Sequence, residues 1–135
     1  MTRLKSKLYD KFELEKLECD FMGYSFDNKK ELTYHHIIPK NYGGQTSYEN
    51  GALLIRDSHN YIHTIQDFEF KLFIELSYEL KKEHEQGSIT KENLIAIKQM
   101  LEYFESKYGD YYNKHGVPII KENFVRGRVD LDGKS

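Results

Sequence analysis

An α+β fold is expected for this chain, with a two-stranded unit between an N-terminal helix and a C-terminal helical hairpin, on three observations. Two short β-prone runs lie at residues 32–38 and 52–55. The stretch between them, residues 41–50, is rich in Gly, Ser, Asn and Gln, which is loop composition. Apolar residues at helical spacing fill the chain before the first run and from the second run to Gly109.

In chain order, Leu4, Leu8 and Phe12, with Leu14 and Leu17 nearby, predict one amphipathic helix over residues 3–18. Residues 19–28 read as a turn region around Gly23. Leu32, Tyr34, His35, Ile37 and Ile38 make a strand that Pro39 stops, and Ala52 to Ile55 make the second. Asp57 or Ser58 can cap a helix over about residues 59–85, which Gly87 ends. Its apolar residues fall in two stripes, Ile65, Phe68, Leu72, Leu76 and Leu80 against Phe70, Ile74 and Tyr78, so packing on both sides is expected. Thr90 can cap a last helix whose face runs Leu94, Ile97, Leu101, Phe104, Tyr108. The whole reads as a single domain, residues 1–135, with a motif core at 32–66, a helical extension at 67–108 and an arm at 109–135.

Hydrophobic residues at 39% and charged residues at 31% suit a folded globular chain. No run approaches the roughly 18 apolar residues of a spanning helix, and residues 1–11 are charged where a signal peptide is apolar. A cytoplasmic protein with no membrane partner is the expectation. The lone Cys19 excludes an intramolecular disulfide. A formal net charge of −2 means that any basic surface is local, built from Arg3, Lys5, Lys7 and Lys11, from Lys29 and Lys30, or from Lys121, Arg126 and Arg128.

The histidines carry the chemistry. Of 6 in the chain, His35, His36, His59 and His63 fall in one window, while His84 and His115 stand alone. On a helix, His59 and His63 project from one face and can share a metal ion. His35 and His36 are neighbours on a strand and point to opposite sides, so they should have different jobs. If His35 joins the helical pair, an ion there has three protein ligands and open positions, as a catalytic metal needs, and His36 is free as a base.

Tyr34-His35-His36-Ile37-Ile38-Pro39, then Gly43-Gly44, Asn50, Leu53-Leu54, His59 and His63, resembles the HNH nuclease motif in the histidine-rich version of colicin-type DNases. The resemblance covers about thirty residues and implies a ββα-metal core. It implies that His35, His59 and His63 hold one divalent ion and that His36 activates the attacking water. It further implies that Asn50 ties the loop to the strand and orients the base, and that cleavage leaves a 5′-phosphate and a 3′-hydroxyl. Lys40 and Arg56 flank this site and could contact phosphate. Three imidazoles suit Mn²⁺, Co²⁺, Ni²⁺ or Zn²⁺ better than Mg²⁺.

In a common form of that family two Cys-x-x-Cys pairs hold a structural zinc. Here Cys19 and Met22 stand at the first pair, and Ile55 and Ser58 at the second. No structural zinc is expected, with apolar packing by Met22 and Ile55 in its place and Cys19 as a small buried residue. The leading expectation is a metal-dependent DNA endonuclease, of phage or mobile-element type, assisted by a larger protein partner because the chain has few basic residues. The alternative is a non-catalytic HNH-fold protein that binds a protein or nucleic-acid partner.

Overall fold

Two antiparallel strands lie at the centre of the computed structural model, which describes residues 2–111 together with His115 and Arg128. Strands β1 (Leu32–His36) and β2 (Gly51–Ile55) pair with Thr33 opposite Leu54, His35 opposite Ala52 and His36 opposite Gly51. Every residue of β2 is buried, because helix α1 (Arg3–Lys11) packs against it, as does helix α3 (Arg56–Phe68). Helices α4 (Phe70–Gln86) and α5 (Lys91–Tyr108) form the hairpin beyond. The architecture is α+β, as the sequence predicts. Tyr112, Gly116, Pro118, Lys121, Arg126 and most of the expected arm lie outside the described residues.

The N-terminal helix is shorter than its pattern. It stops at Lys11, Glu13 takes left-handed backbone (φ 54°), and a single further turn, α2 (Leu14–Leu17), follows. Packing explains the break. Leu8 and Phe12 share a helical face, but Leu14 would sit about 200° round from Phe12 on a continuous helix. The kink at Glu13 lets Leu8, Phe12 and Leu14 all reach the core. A left-handed non-glycine residue costs about 1–2 kcal/mol, which burial of a leucine offsets.

The long helix expected over residues 59–85 is two helices. It starts earlier, at Arg56, and neither Asp57 nor Ser58 caps it, because Ile55 holds the cap position. It breaks at Glu69, whose backbone leaves the helical region (φ −145°, ψ 76°). The Glu69 carboxylate accepts from Lys107 Nζ at 2.8 Å and from Tyr108 Oη at 2.7 Å, so the end of α5 holds the break. The two-sided packing is also corrected. Leu72, Leu76 and Leu80 are buried, whereas Phe70, Ile74 and Tyr78 face solvent, Tyr78 being 70% exposed. Gly87 ends α4 in left-handed backbone (φ 72°), and Thr90 caps α5 in a reciprocal box with Asn93. No helix among the described residues is long and apolar enough to cross a membrane.

Two polar residues on α4 face inward. His84 Nε2 lies 2.6 Å from Gly51 O, and its ring packs edge-on against Phe12 and Tyr48, which anchors α4 behind the start of β2. Glu83 is fully buried, and neither of its carboxyl oxygens is hydrogen-bonded among the described residues. Desolvation, then the nearby Asp20 and Glu79, push its pKa well above the usual 4.5. Arg128 lays its guanidinium on the Tyr24 ring and donates from Nη2 to Leu94 O at 3.1 Å, so it is a packing residue and not part of a basic surface.

A carboxyl whose folded pKa is raised keeps its proton when the unfolded chain has lost it, so its contribution is present below about pH 4.5 and is lost as pH rises towards the folded value. Glu83→Gln removes that dependence. Urea denaturation at a series of pH values should show the variant gaining on the natural chain by about 1.4 kcal/mol per pH unit above the usual carboxyl range, until Glu83 ionises. A difference that stays flat with pH would mean that the carboxyl titrates normally.

Candidate metal centre and active site

The metal candidate is built by one face of β1 and one face of α3. Thr33 and His35, two residues apart, point to the same side of the strand, and α3 lies across that side. His59 and His63, one turn apart on α3, stack with ring centroids 4.9 Å apart. His35 meets them edge-on, at 5.1 Å from His59 and 5.6 Å from His63. The three offer ring nitrogens within 4.8 Å of one another.

Burial differs sharply across the trio. His35 is 1% exposed, His59 is half-buried and His63 is exposed. Desolvation, followed by the other histidines, holds the His35 pKa down at about 3. Burial and then His63 and His36 hold His59 at about 4. Both imidazoles are therefore neutral near pH 7, with a lone pair available. His59 Nδ1 lies 2.8 Å from Thr33 Oγ1, and His63 Nδ1 lies 3.2 Å from Gln66 Oε1. Neither nitrogen of His35 has a hydrogen-bond partner among the described residues. A buried imidazole with both nitrogens unsatisfied is costly, by about 1–3 kcal/mol for each such group. A divalent cation bound to one nitrogen is the natural remedy, and a neutral three-imidazole set fits such an ion.

His36 leaves the strand on the other side, as alternation requires. Its Nε2 sits 2.8 Å from Thr46 Oγ1 and its ring lies edge-on to Tyr34, 4.9 Å away. Partial burial and then Lys40 lower its pKa, so it too is neutral near pH 7. It remains close enough to the trio for its charge to act on both His35 and His59.

The loop between the strands is held by Asn50. Its Oδ1 accepts from Ile38 N at 2.8 Å, and its Nδ2 donates to Ile38 O at 3.0 Å and Gln45 O at 2.9 Å. Tyr34 Oη donates to Ser47 O and accepts from Ser47 N, a second tie. Gly44 is required where the loop turns back, since a Cβ there would collide with Ile38 O. The first strand is shorter than expected because Ile37 and Ile38 pair with Asn50 instead of extending the ladder. Lys40 is exposed beside His36, and Arg56 is exposed on the first turn of α3.

Cys19, Met22, Ile55 and Ser58 are all buried. The apolar packing expected of Met22 and Ile55 is present, but a polar tie at Asp20 accompanies it. Asp20 is fully buried, and its Oδ1 accepts from Met22 N at 2.9 Å and Tyr24 N at 3.0 Å. Its Oδ2 accepts from Ile55 N at 3.0 Å and Ser58 Oγ at 2.5 Å. One carboxylate thus joins the loop of residues 19–24 to the junction of β2 and α3. Cys19 is a free thiol whose pKa burial pushes up to about 12, so it is unreactive. Asp20, Thr33, Thr46 and Gln66 escape a reading of the sequence alone. Thr33 was within reach, standing two residues before His35 on a strand. Asp20 was not, because nothing local marks an aspartate as buried.

Residues 18–64 match the family model described as HNH endonuclease. Neither the curated proteins nor the solved structures contain a match to the chain.

Asp20→Asn would turn one acceptor oxygen into a donor and leave buried N–H or O–H groups facing it. Urea unfolding should register a loss of about 2–4 kcal/mol. Cys19→Ser, by contrast, should leave the metal content of the purified protein unchanged by elemental analysis. A stability loss under 0.5 kcal/mol for Asp20→Asn, or loss of bound zinc with Cys19→Ser, would contradict these roles.

Proposed function

From the HNH endonuclease domain that the chain carries at residues 18–64, we propose that it is a metal-dependent endonuclease hydrolysing phosphodiester bonds of DNA, with a histidine general base. The observation that carries this reading is His35, a neutral imidazole buried with both nitrogens unsatisfied and set against His59 and His63. These three residues would hold one divalent ion, of the Mn²⁺, Co²⁺, Ni²⁺ or Zn²⁺ class before Mg²⁺. When bound, that ion supplies Lewis-acid stabilisation of charge on the phosphate and the departing O3′.

The remaining work falls to the chain's own groups. His36 takes the proton from the attacking water, for which its neutral state near pH 7 equips it. Thr46 and the Tyr34 ring orient it. Asn50 keeps the loop that carries Thr46 closed on the strand. Lys40, beside His36, contacts phosphate, and Arg56 contributes charge from the start of α3.

One observation favours a protein partner as well. Phe70, Ile74 and Tyr78 form an exposed stripe on α4, and Tyr42 from the interstrand loop meets Phe70 with ring centroids 5.8 Å apart. An exposed aromatic face beside a weakly charged nuclease site suits a partner-assisted enzyme, and equally a non-catalytic binding protein. Cleavage distinguishes them.

Purified protein should nick plasmid DNA with added Mn²⁺ or Ni²⁺ and stop with chelator. His36→Ala should keep its metal affinity in calorimetry while the cleavage rate falls about a hundredfold to ten-thousandfold. His63→Ala should weaken metal binding and recover part of its activity at high metal concentration. A folded protein that neither binds a divalent ion nor cuts nucleic acid is not a nuclease of this type. Loss of metal binding in His36→Ala but not in His35→Ala would exchange the two roles.

A further inference from the structure

We propose that Thr33 is a positioning residue that locks His59 in the Nδ1–H tautomer and so presents its Nε2 lone pair to the metal centre. A threonine hydroxyl has one proton to give and can accept at its oxygen. Thr33 Oγ1 lies 2.8 Å from Leu54 O, the carbonyl of its partner residue across the hairpin, and 2.8 Å from His59 Nδ1. A carbonyl oxygen can only accept, so the hydroxyl proton is committed to Leu54. With that proton spent, Oγ1 can only accept from His59, and Nδ1 must carry the hydrogen. The reverse assignment would set two acceptor oxygens 2.8 Å apart with no proton between them. For a neutral imidazole this leaves Nε2 as the unprotonated nitrogen.

The lock is needed because a free neutral histidine favours the other tautomer, with the proton on Nε2. In that form the bare nitrogen of His59 would be Nδ1, the one held against Thr33, and Nε2 would have no lone pair to offer. His63 shows a bond of the same sense, Nδ1 to Gln66 Oε1, but His63 is exposed and the glutamine amide can turn over. Thr33 has no such freedom. It is part-buried on β1, its hydroxyl is tied to the backbone of β2, and it faces α3 beside His35. The strand pair thus dictates the chemistry of a side chain on the helix. Partners of this kind around metal-binding histidines are worth about ten- to a hundredfold in metal affinity.

This inference rests on the proposed metal site for its consequence but not for its first test. In metal-free, ¹⁵N-histidine-labelled full-length protein at neutral pH, long-range ¹H–¹⁵N correlation should show His59 with a protonated Nδ1 and a bare Nε2. Its signals are assigned by their loss in His59→Gln. Thr33→Val, which keeps the shape and removes the hydroxyl, should shift His59 towards Nε2–H. Thr33→Ser should retain the wild-type pattern. Calorimetry with Zn²⁺ and with Ni²⁺ should then show Thr33→Val weaker by about ten- to a hundredfold and Thr33→Ser within a few-fold of wild type. A wild-type spectrum with His59 protonated on Nε2 overturns the proposal, whether or not Thr33→Val folds. So does a folded Thr33→Val that binds both metals as tightly as wild type. Wild-type protein that shows the Nδ1–H form but binds no ion would refute the metal site and leave the tautomer lock standing.

Discussion

Everything around the histidines depends on where α3 begins, and a buried carboxylate settles that. Asp20 holds Ile55 N and Ser58 Oγ through one oxygen while the other holds Met22 N and Tyr24 N. Burying a carboxylate is expensive, and desolvation raises its pKa against the effect of these four donors. Four donors offset part of that cost, and the carboxylate ties two segments far apart in sequence. A cation held by thiolates is one way to make such a tie, and a carboxylate surrounded by donors is another. With Ile55 and Ser58 held, His59 follows at once on the first turns of the helix, in reach of Thr33 and His35.

The site shows the opposite economy. Around Asp20 every polar contact is made, whereas His35 is sealed under α3 with none for its ring nitrogens. Glu83 repeats that pattern in the α4 core. The two differ in what surrounds them. Beside His35 stand two more imidazoles with available lone pairs, which is a donor set, and beside Glu83 stand carboxyl groups, which only push its pKa upward.

The helical extension supports the site without touching its chemistry. His84 reaches Gly51 O, directly across the hairpin from His36, and Lys81 Nζ reaches Glu49 O in the interstrand loop. The bend at Glu69 lets α4 run back towards the strand pair, where His84 and Lys81 reach it, while α5 packs against α4. The same bend leaves Phe70, Ile74 and Tyr78 outside the core, so this face owes its exposure to a turn in the chain.

The sequence by itself determined the parts whose causes are local. Alternation on β1 separated His35 from His36, the spacing of His59 and His63 placed them on one helical face, and Asn50, Gly87 and Thr90 stood at turns and caps that their side chains or lack of one demand. Only the tertiary structure decided the breaks at Glu13 and Glu69, because neither residue is a helix breaker: at Glu13 the burial of its neighbours Phe12 and Leu14 in a core built from the rest of the chain sets the conformation, and at Glu69 the distant Lys107 and Tyr108 hold it. It also decided Asp20 and Thr33. A hydroxyl or carboxylate carries no mark in one dimension of what it will face, and hydrogen-bond direction exists only once donors and acceptors from separate elements are brought within 3 Å or so of one another.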